Sequence, residues 1–236
     1  MWISLILNVR LSHANLIQSE INFPLTSEPG EGFSYGVSTD WAGLAVERVN
    51  NIRLGDYMKT HIWDPLGMPK TTFRPKENEA VRNSLIEMTF RSPTGELTLS
   101  PEFDPLPGRT DDMGGAGTFS CAADYIKVLI SLLKNDGKLL KPETVDHMFK
   151  PHLEDRQYLR AIMSNPAFYS GFSAGSPPGI EFDHALGGFI VMEEIPGQRS
   201  KGTVTWGGMP NLNWVGHHPM PHKFKENLPC ISFLRT

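Results

Sequence analysis

Ala185-Leu186-Gly187-Gly188-Phe189-Ile190-Val191-Met192-Glu193-Glu194-Ile195, then a Pro196-Gly197 turn, then Gly202-Thr203-Val204-Thr205-Trp206: this late stretch decides the fold. Short runs rich in apolar, β-branched and aromatic residues, bounded by Gly and Pro, read as strands. Two such runs in close succession pair antiparallel. The earlier chain carries a different period. From Thr39 or Asp40, Trp41, Leu44, Ala45 and Val49 recur at helical spacing, with Glu47 and Arg48 on the other face. A second helix is expected from about Leu54 to His61, ended by Pro65 and turned back by Leu66-Gly67-Met68. Ser120 is the expected N-cap of a helix running through Leu133 to a stop at Gly137, and Pro142 opens another through Met148. Residues 74–118 lack a period and read as an irregular insert. Helices first and an antiparallel sheet late predict an α+β fold rather than a doubly wound one. We read residues 1–236 as a single domain.

A chain of 236 residues with 39% hydrophobic and 20% charged content can bury a real core. Its 26 acidic and 22 basic residues give a net charge of −4 with no long run of one sign, which argues against nucleic acid or an anionic membrane as partner. Two cysteines, Cys121 and Cys230, make no disulfide framework and suit free thiols in the reducing cytoplasm. The apolar start, Trp2-Ile3-Ser4-Leu5-Ile6-Leu7, has neither the basic flank and small-residue cleavage site of a signal peptide nor the length of a membrane span. It reads as a buried strand or helix piece.

Gly32-Phe33-Ser34-Tyr35-Gly36 matches the Gly-x-Ser-x-Gly elbow of α/β-hydrolases, but that elbow needs a strand before it, and here Thr26-Ser27-Glu28-Pro29-Gly30-Glu31 is a turn. Gly171-Phe172-Ser173-Ala174-Gly175 matches too and runs into Ser176-Pro177-Pro178, which cannot open a helix. The α/β-hydrolase reading through Ser34 therefore stands as a distant alternative. Taken whole, the segments say something else. Glu28 to Tyr35, Asp40-Trp41 and Ile62-Trp63-Asp64-Pro65-Leu66-Gly67-Met68 resemble the tyrosine segment of the serine β-lactamase and family VIII esterase superfamily. Leu11-Ser12-His13 and the glycine turn Gly114-Gly115-Ala116-Gly117-Thr118-Phe119-Ser120 resemble other parts of it, in the same order. The run from Gly202 to Leu212 is most similar to the fungal lovastatin-type transesterase branch. The resemblance extends from about residue 11 to residue 215.

That resemblance implies a β-lactamase and penicillin-binding-protein-like fold, a helical domain beside an antiparallel sheet, with the site between them. It implies a serine attacking an ester or thioester while a lysine and a tyrosine take its proton. Tyr35 matches the tyrosine. Gly36-Val37 stands where the lactamases have x-Asn, which favours an esterase. Trp206-Gly207-Gly208 matches the Lys-Thr-Gly strand in its esterase form. Along that strand, glycines admit substrate where a Cβ would intrude. Met209 N–H would be an oxyanion donor, and Gly188 would join Trp206, Gly207 and Gly208 in binding substrate. An indole in place of the lysine predicts an uncharged, greasy acyl group. The implied partners are a small-molecule acyl ester or thioester, an alcohol acceptor and an acyl-carrier domain, with no cofactor and no metal.

The family's Ser-x-x-Lys nucleophile is missing ahead of Tyr35. Only Ser131-Leu132-Leu133-Lys134 has the spacing, after the tyrosine and on what reads as an ordinary amphipathic helix. The chain reads as truncated at both ends and impaired, with a non-catalytic remnant of the family as the alternative. His217-His218-Pro219-Met220-Pro221-His222 suggests metal, but its prolines prevent a regular histidine spacing and no carboxylate or thiolate is near, so it reads as an unstructured tail.

Overall fold

The structure, a computed structural model, describes residues 24–25, 27–100, 110–208, 212–217 and 230–233. The apolar start, Leu11-Ser12-His13, Met209 and His218 to His222 lie outside the described residues. The chain gathers into two compact units, one of Gly36–Asp124 and one of Leu25–Tyr35 with the chain from Tyr125 onward.

In the first unit, α1 (Ser38–Asn50) ends on Asn51 in the left-handed region at φ 50. Its buried positions are Asp40, Gly43 and Leu44. Val49, expected on the buried stripe, is 84% exposed, because the apolar face narrows toward the end of α1. α2 (Leu54–Met58) passes into a π-turn (Lys59–Trp63) and then α3 (Asp64–Leu66), so Pro65 does not end the helix as its sequence predicted. The wider turn ahead of Pro65 relieves the clash a proline ring makes with the preceding turn. Gly67, at φ 65, is the actual stop.

Three buried carboxylates tie this unit together through backbone N–H groups. Asp40 Oδ1 accepts from Gly115 N at 2.8 Å, and a Cβ on Gly115 would lie 2.8 Å from the same carboxylate. Asp112 accepts from Gly55 N at 3.0 Å and from Arg74 Nη2 at 2.8 Å, with Arg53 at 3.4 Å. Asp124 accepts from Lys70 N at 2.7 Å. Burial of carboxylates is tolerable because each is hydrogen-bonded or ion-paired. The supposed irregular insert holds α4 (Glu79–Arg82) and an antiparallel hairpin of β1 (Met88–Arg91) and β2 (Leu97–Ser100). Ser92-Pro93-Thr94-Gly95 closes it, with Gly95 at φ 90.

α5 (Ala122–Lys134) begins two residues after Ser120. Ser120 is not its cap, since its hydroxyl pairs with Thr71 Oγ1 at 2.8 Å. Asn135, left-handed at φ 49, ends it before Gly137 is reached. In the second unit come α6 (Pro142–Met148), α7 (Gln157–Met163) and α8 (Pro166–Phe172). Asn165 caps α8, its Oδ1 accepting from Ala167 N at 2.9 Å. A five-stranded sheet follows, β3 (Phe182–His184), β4 (Phe189–Val191), β5 (Thr203–Gly208), β6 (Leu212–His217) and β7 (Cys230–Phe233), every neighbour antiparallel in sequence order. The strand expected across 185–195 is confined to Phe189–Val191, because Leu186-Gly187-Gly188 makes the turn from β3.

Alternation along β4 separates two packed clusters. Phe189 and Val191 join Phe182, Leu159 and Met163, whereas Ile190 joins Ala185 and Val204. Both faces of the sheet centre are therefore dry. The buried threonines of β5 survive there by satisfying their hydroxyls: Thr205 Oγ1 donates to Trp214 O at 2.9 Å and Thr203 Oγ1 to Ser200 O at 2.7 Å.

Candidate functional site

The antiparallel order brings one end of the sheet together from four strands: His184 at the end of β3, Gly188 before β4, Trp206-Gly207-Gly208 at the end of β5 and Leu212-Asn213 at the start of β6. Over this end lies an aromatic cluster. The Trp206 indole meets Phe189 at 4.9 Å and Phe172 at 5.3 Å, and Phe172 stacks on Phe168 at 4.4 Å, one helical turn back on α8. Tyr35 completes it. Its ring is 4.9 Å from Phe172 and 6.4 Å from Trp206, nearly parallel to the indole at 27°, and it stays 57% exposed. Sequence-remote Tyr35 and Trp206 thus share one aromatic surface inside one unit.

The glycines differ in what surrounds them. A Cβ on Gly188 would lie 2.7 Å from Thr205 O and 3.4 Å from the Trp206 Cβ. A Cβ on Gly207 would lie 2.7 Å from Gly171 O on α8 and would collide with Asn213 Oδ1. Gly188 and Gly207 are therefore required by close packing of backbone on backbone. Gly208 faces nothing within 4 Å among the described residues, so its missing side chain leaves open strand edge. Met209 lies outside the described residues.

The serines that matched other patterns do not assemble nucleophiles. Ser34 is exposed, in irregular chain that no strand precedes. Ser173 follows a helix instead of a strand, and Ala174 beside it is left-handed at φ 49. Ser131 is 4% exposed and its hydroxyl donates to Asp136 Oδ1 at 2.7 Å, the bonding of a helix-end residue.

Sequence reasoning missed Phe168, Phe172, Phe33 and His184. The signal for the first two was present: Asn165-Pro166 marks a helix start, and Phe168 and Phe172 fall four apart behind it. His184 had no local signal. Its ring meets Phe189 at 5.4 Å, Trp206 at 6.1 Å and Phe33 at 6.2 Å. Burial holds its pKa below the usual 6.5, with nearby His152 acting in the same direction and the Ala185 carbonyl and Asp183 opposing. On the other side of α8, a cavity of about 930 Å³ is lined by Leu159, Met163, Tyr169, Ser173 and Phe182, and neither Tyr35 nor Trp206 reaches it. Among the described residues no group of three or more His, Cys, Asp or Glu could hold a metal ion, and no helix is long and apolar enough to cross a membrane.

Residues 14–217 match the β-lactamase family, and the chain belongs to it. The chain is 35% identical over 218 residues to a lovastatin esterase of Penicillium rubens, covering 90% of this chain and 54% of that protein. To a monacolin J acid methylbutanoyltransferase of Aspergillus terreus it is 36% identical over 204 residues, 84% of this chain and 49% of the other. The structure of unliganded simvastatin synthase from Aspergillus terreus matches with a TM-score of 0.73 at 34% identity, over 82% of this chain and 48% of that one. EstCE1, a hydrolase with promiscuous acyltransferase activity, matches at 0.60 and 20% identity over 87% of this chain and 54% of that one, a likeness of fold alone. The helices and antiparallel sheet are thus part of the β-lactamase and penicillin-binding-protein fold. The chain spans about half the length of the curated relatives it matches.

Proposed function

We propose that the Tyr35–Trp206 end of the sheet belongs to an acyl-transfer site of the serine acyltransferase and esterase kind, which moves an uncharged acyl group from an ester or thioester to a polyketide alcohol or to water, releasing the donor's alcohol or thiol. The observation that carries the reading is the Tyr35 ring lying over the Trp206 indole, half-exposed, beside an open strand edge at Gly208. In this reading Tyr35 Oη takes up a proton from the attacking hydroxyl. Trp206 and Phe172 form the apolar wall for the acyl chain. Gly207 and Gly208 give the substrate its strand edge, Gly188 keeps the neighbouring turn close, and Met209 N–H donates to the oxyanion. The acyl donor is a small thioester or one carried on an acyl-carrier domain, and the acceptor is an alcohol or water. The chain is read as one β-lactamase-related domain working in the cytoplasm, in keeping with the free thiol of Cys121.

The test is titration of the 236-residue chain with a methylbutanoyl thioester of N-acetylcysteamine, followed by NMR. Saturable shifts at the Trp206 indole and the Tyr35 ring are expected. Shifts absent from both, or confined to the cavity behind α8, refute the site.

A second reading, a member of the family that binds esters without turning them over, is favoured by the sequence itself. Its one Ser-x-x-Lys spacing, Ser131 to Lys134, buries the serine and engages its hydroxyl with Asp136. Where Ser131 is the one serine with that spacing, no acyl-enzyme forms on these residues and binding groups alone supply residual catalysis. Mass spectrometry after a fluorophosphonate probe separates the two: no labelled serine supports the binder, and stoichiometric labelling of any serine supports the enzyme.

A further inference from the structure

Among the described residues His184 is the one imidazole in ring contact with the aromatic cluster, and both of its ring nitrogens have a definite state. Nδ1 lies 2.6 Å from the Ala185 carbonyl oxygen. A carbonyl oxygen can only accept, so Nδ1 carries the proton and Nε2 keeps its lone pair in the neutral ring. The backbone fixes this arrangement from behind. Asp183, 2% exposed, accepts from His184 N at 2.7 Å, His152 N at 3.1 Å and Leu153 N at 3.1 Å. Asp183 Oδ2 also stands 3.6 Å from Arg156 Nε, so its charge is engaged there as well as on the backbone.

The ring itself is packed by carbon: Phe33, Phe189 and Trp206 surround it. Nε2 has no hydrogen-bond partner among the described residues. An acceptor with capacity to spare beside apolar walls discriminates between a ligand that brings a donor to it and one that does not. The donor that belongs at the end of this sheet, on the reading above, is the hydroxyl of the acceptor alcohol. An ester or thioester carries no such donor.

We propose that His184 Nε2 accepts the hydroxyl hydrogen of the alcohol partner at the Trp206 end of the sheet, making His184 a residue that selects alcohols over non-donor ligands. The inference rests on the proposed acyl-transfer site and adds a distinct residue to it. Chemically it is a binding step: the O–H bond stays intact and no proton leaves the alcohol. Protonation of Nε2 turns the acceptor into a donor, so alcohol binding weakens as His184 becomes an imidazolium. The titratable groups near it are Asp183 on its own strand and His152 from the segment ahead of α7, with His147 stacked on His152 at 4.6 Å and Arg156 on Asp183. Phe33, Phe189 and Trp206, which pack against the ring, bring no charge.

The experiment uses the full chain labelled with 15N-histidine, and two probes, butan-1-ol and butyl methyl ether. They share an apolar chain but only the alcohol donates. At pH 7.5 the His184 resonances should report Nδ1–H with bare Nε2, and butan-1-ol should shift Nε2 while the ether does not. Butan-1-ol should bind the His184→Phe variant roughly three- to tenfold more weakly, as expected for one lost hydrogen bond. His184→Gln, which offers an amide oxygen in a similar place, should recover part of the loss, and the ether should bind all three proteins alike. An Nε2–H tautomer, or equal Nε2 shifts from both probes, overturns the role of His184. If both probes still perturb Trp206 and Tyr35 in that case, the acyl-transfer site survives. If neither probe perturbs Trp206, Tyr35 or His184, the site and this inference both fall. The tautomer measurement on the unaltered chain decides the matter even if His184→Phe does not fold.

Discussion

Gly207 and Gly208 are adjacent, chemically identical, and placed in opposite circumstances, so alanine at each separates packing from binding. Neither falls among the positive-φ glycines, so the backbone at both positions accepts a side chain. At Gly207 a Cβ lies 2.7 Å from Gly171 O, against ordinary contact from 3.4 Å, so the last turn of α8 must retreat by roughly 0.7 Å. Asn213 must rotate away as well, which breaks no hydrogen bond because its Oδ1 has none. Overpacking of this kind costs about 1–3 kcal/mol, and replacing a strand glycine returns up to about 1 kcal/mol. Gly207→Ala should therefore lose about 1–2 kcal/mol, a fall in Tm of roughly 2–8 °C for a chain of this size. Retreat of α8 also carries Phe172 from Tyr35, so the Tyr35 ring resonances should move. At Gly208 nothing described is within 4 Å, so the strand-glycine return is not offset by crowding and Gly208→Ala should be as stable as the unaltered protein or up to about 1 kcal/mol more stable. Its methyl group would stand on the open strand edge and weaken binding of the methylbutanoyl thioester about tenfold, as for a group that keeps a ligand from close approach. Thermal unfolding by circular dichroism and the thioester titration read the two effects separately. Equal stability of Gly207→Ala and the unaltered chain would refute the close approach of α8. Unchanged thioester binding by Gly208→Ala would refute the substrate edge.

Three further outcomes follow from the packing and the charges. Phe189, fully buried and within 6.2 Å of Phe33, Phe172, Phe182, His184 and Trp206 ring centroids, anchors the aromatic cluster, and Phe189→Ala should cost about 3–5 kcal/mol in urea denaturation. Asp112→Ala removes a 4%-exposed carboxylate that holds Arg74, Arg53 and Gly55 N, and should cost about 2–3 kcal/mol, discounted because Arg53 is half-exposed. His184 has its folded pKa below the unfolded value of 6.5, so the unfolded chain binds the proton first as pH falls. The contribution from the neutral ring is present above pH 6.5 and is lost as pH falls through the folded value. Urea midpoints at pH 7.5 and pH 5.5 should therefore differ less in His184→Gln than in the unaltered chain, and an unchanged difference would show that His184 titrates normally.

Fold class was legible wherever local chemistry repeated often enough to outvote accident. The body of α1, expected from Thr39 or Asp40 and found from Ser38, the proline start of α6 and the antiparallel pairing of Phe189–Val191 with β5 each follow from nearest-neighbour physics: period, the fixed φ of proline and the short reach of a turn. Errors fell where two local signals competed. Pro65 was a stop signal that the π-turn ahead of it neutralised, and Ser120 was a capping residue whose hydroxyl Thr71, distant in sequence, claimed instead. The hairpin of β1 and β2 was missed although Met88-Thr89-Phe90-Arg91 and Leu97-Thr98-Leu99-Ser100 both alternate apolar and polar around a Pro-Gly turn, because four residues are too few to stand out from the Pro-, Gly- and Asp-rich chain around them.

The sequence by itself determined the residue types of the proposed site, because Tyr35 and Trp206-Gly207-Gly208 are strings whose order and chemistry are written in the chain. It also determined that the one Ser-x-x-Lys of these 236 residues, Ser131 to Lys134, follows Tyr35 and precedes Trp206, since a motif four residues long is complete or absent without folding. Only the tertiary structure decided that the Tyr35 ring stands nearly parallel to Trp206 at 6.4 Å, that Phe172 meets both of them, and that His184 joins the cluster with its Nε2 left over among the described residues. It alone distinguished Gly207, pressed by α8, from Gly208, which faces nothing within 4 Å among the described residues. The reason is one of range. Helical period and turn chemistry act across a few residues and are read in line. Ring contacts and the crowding of a missing side chain depend on which distant backbone arrives beside it, and that is set by the packing of the whole unit.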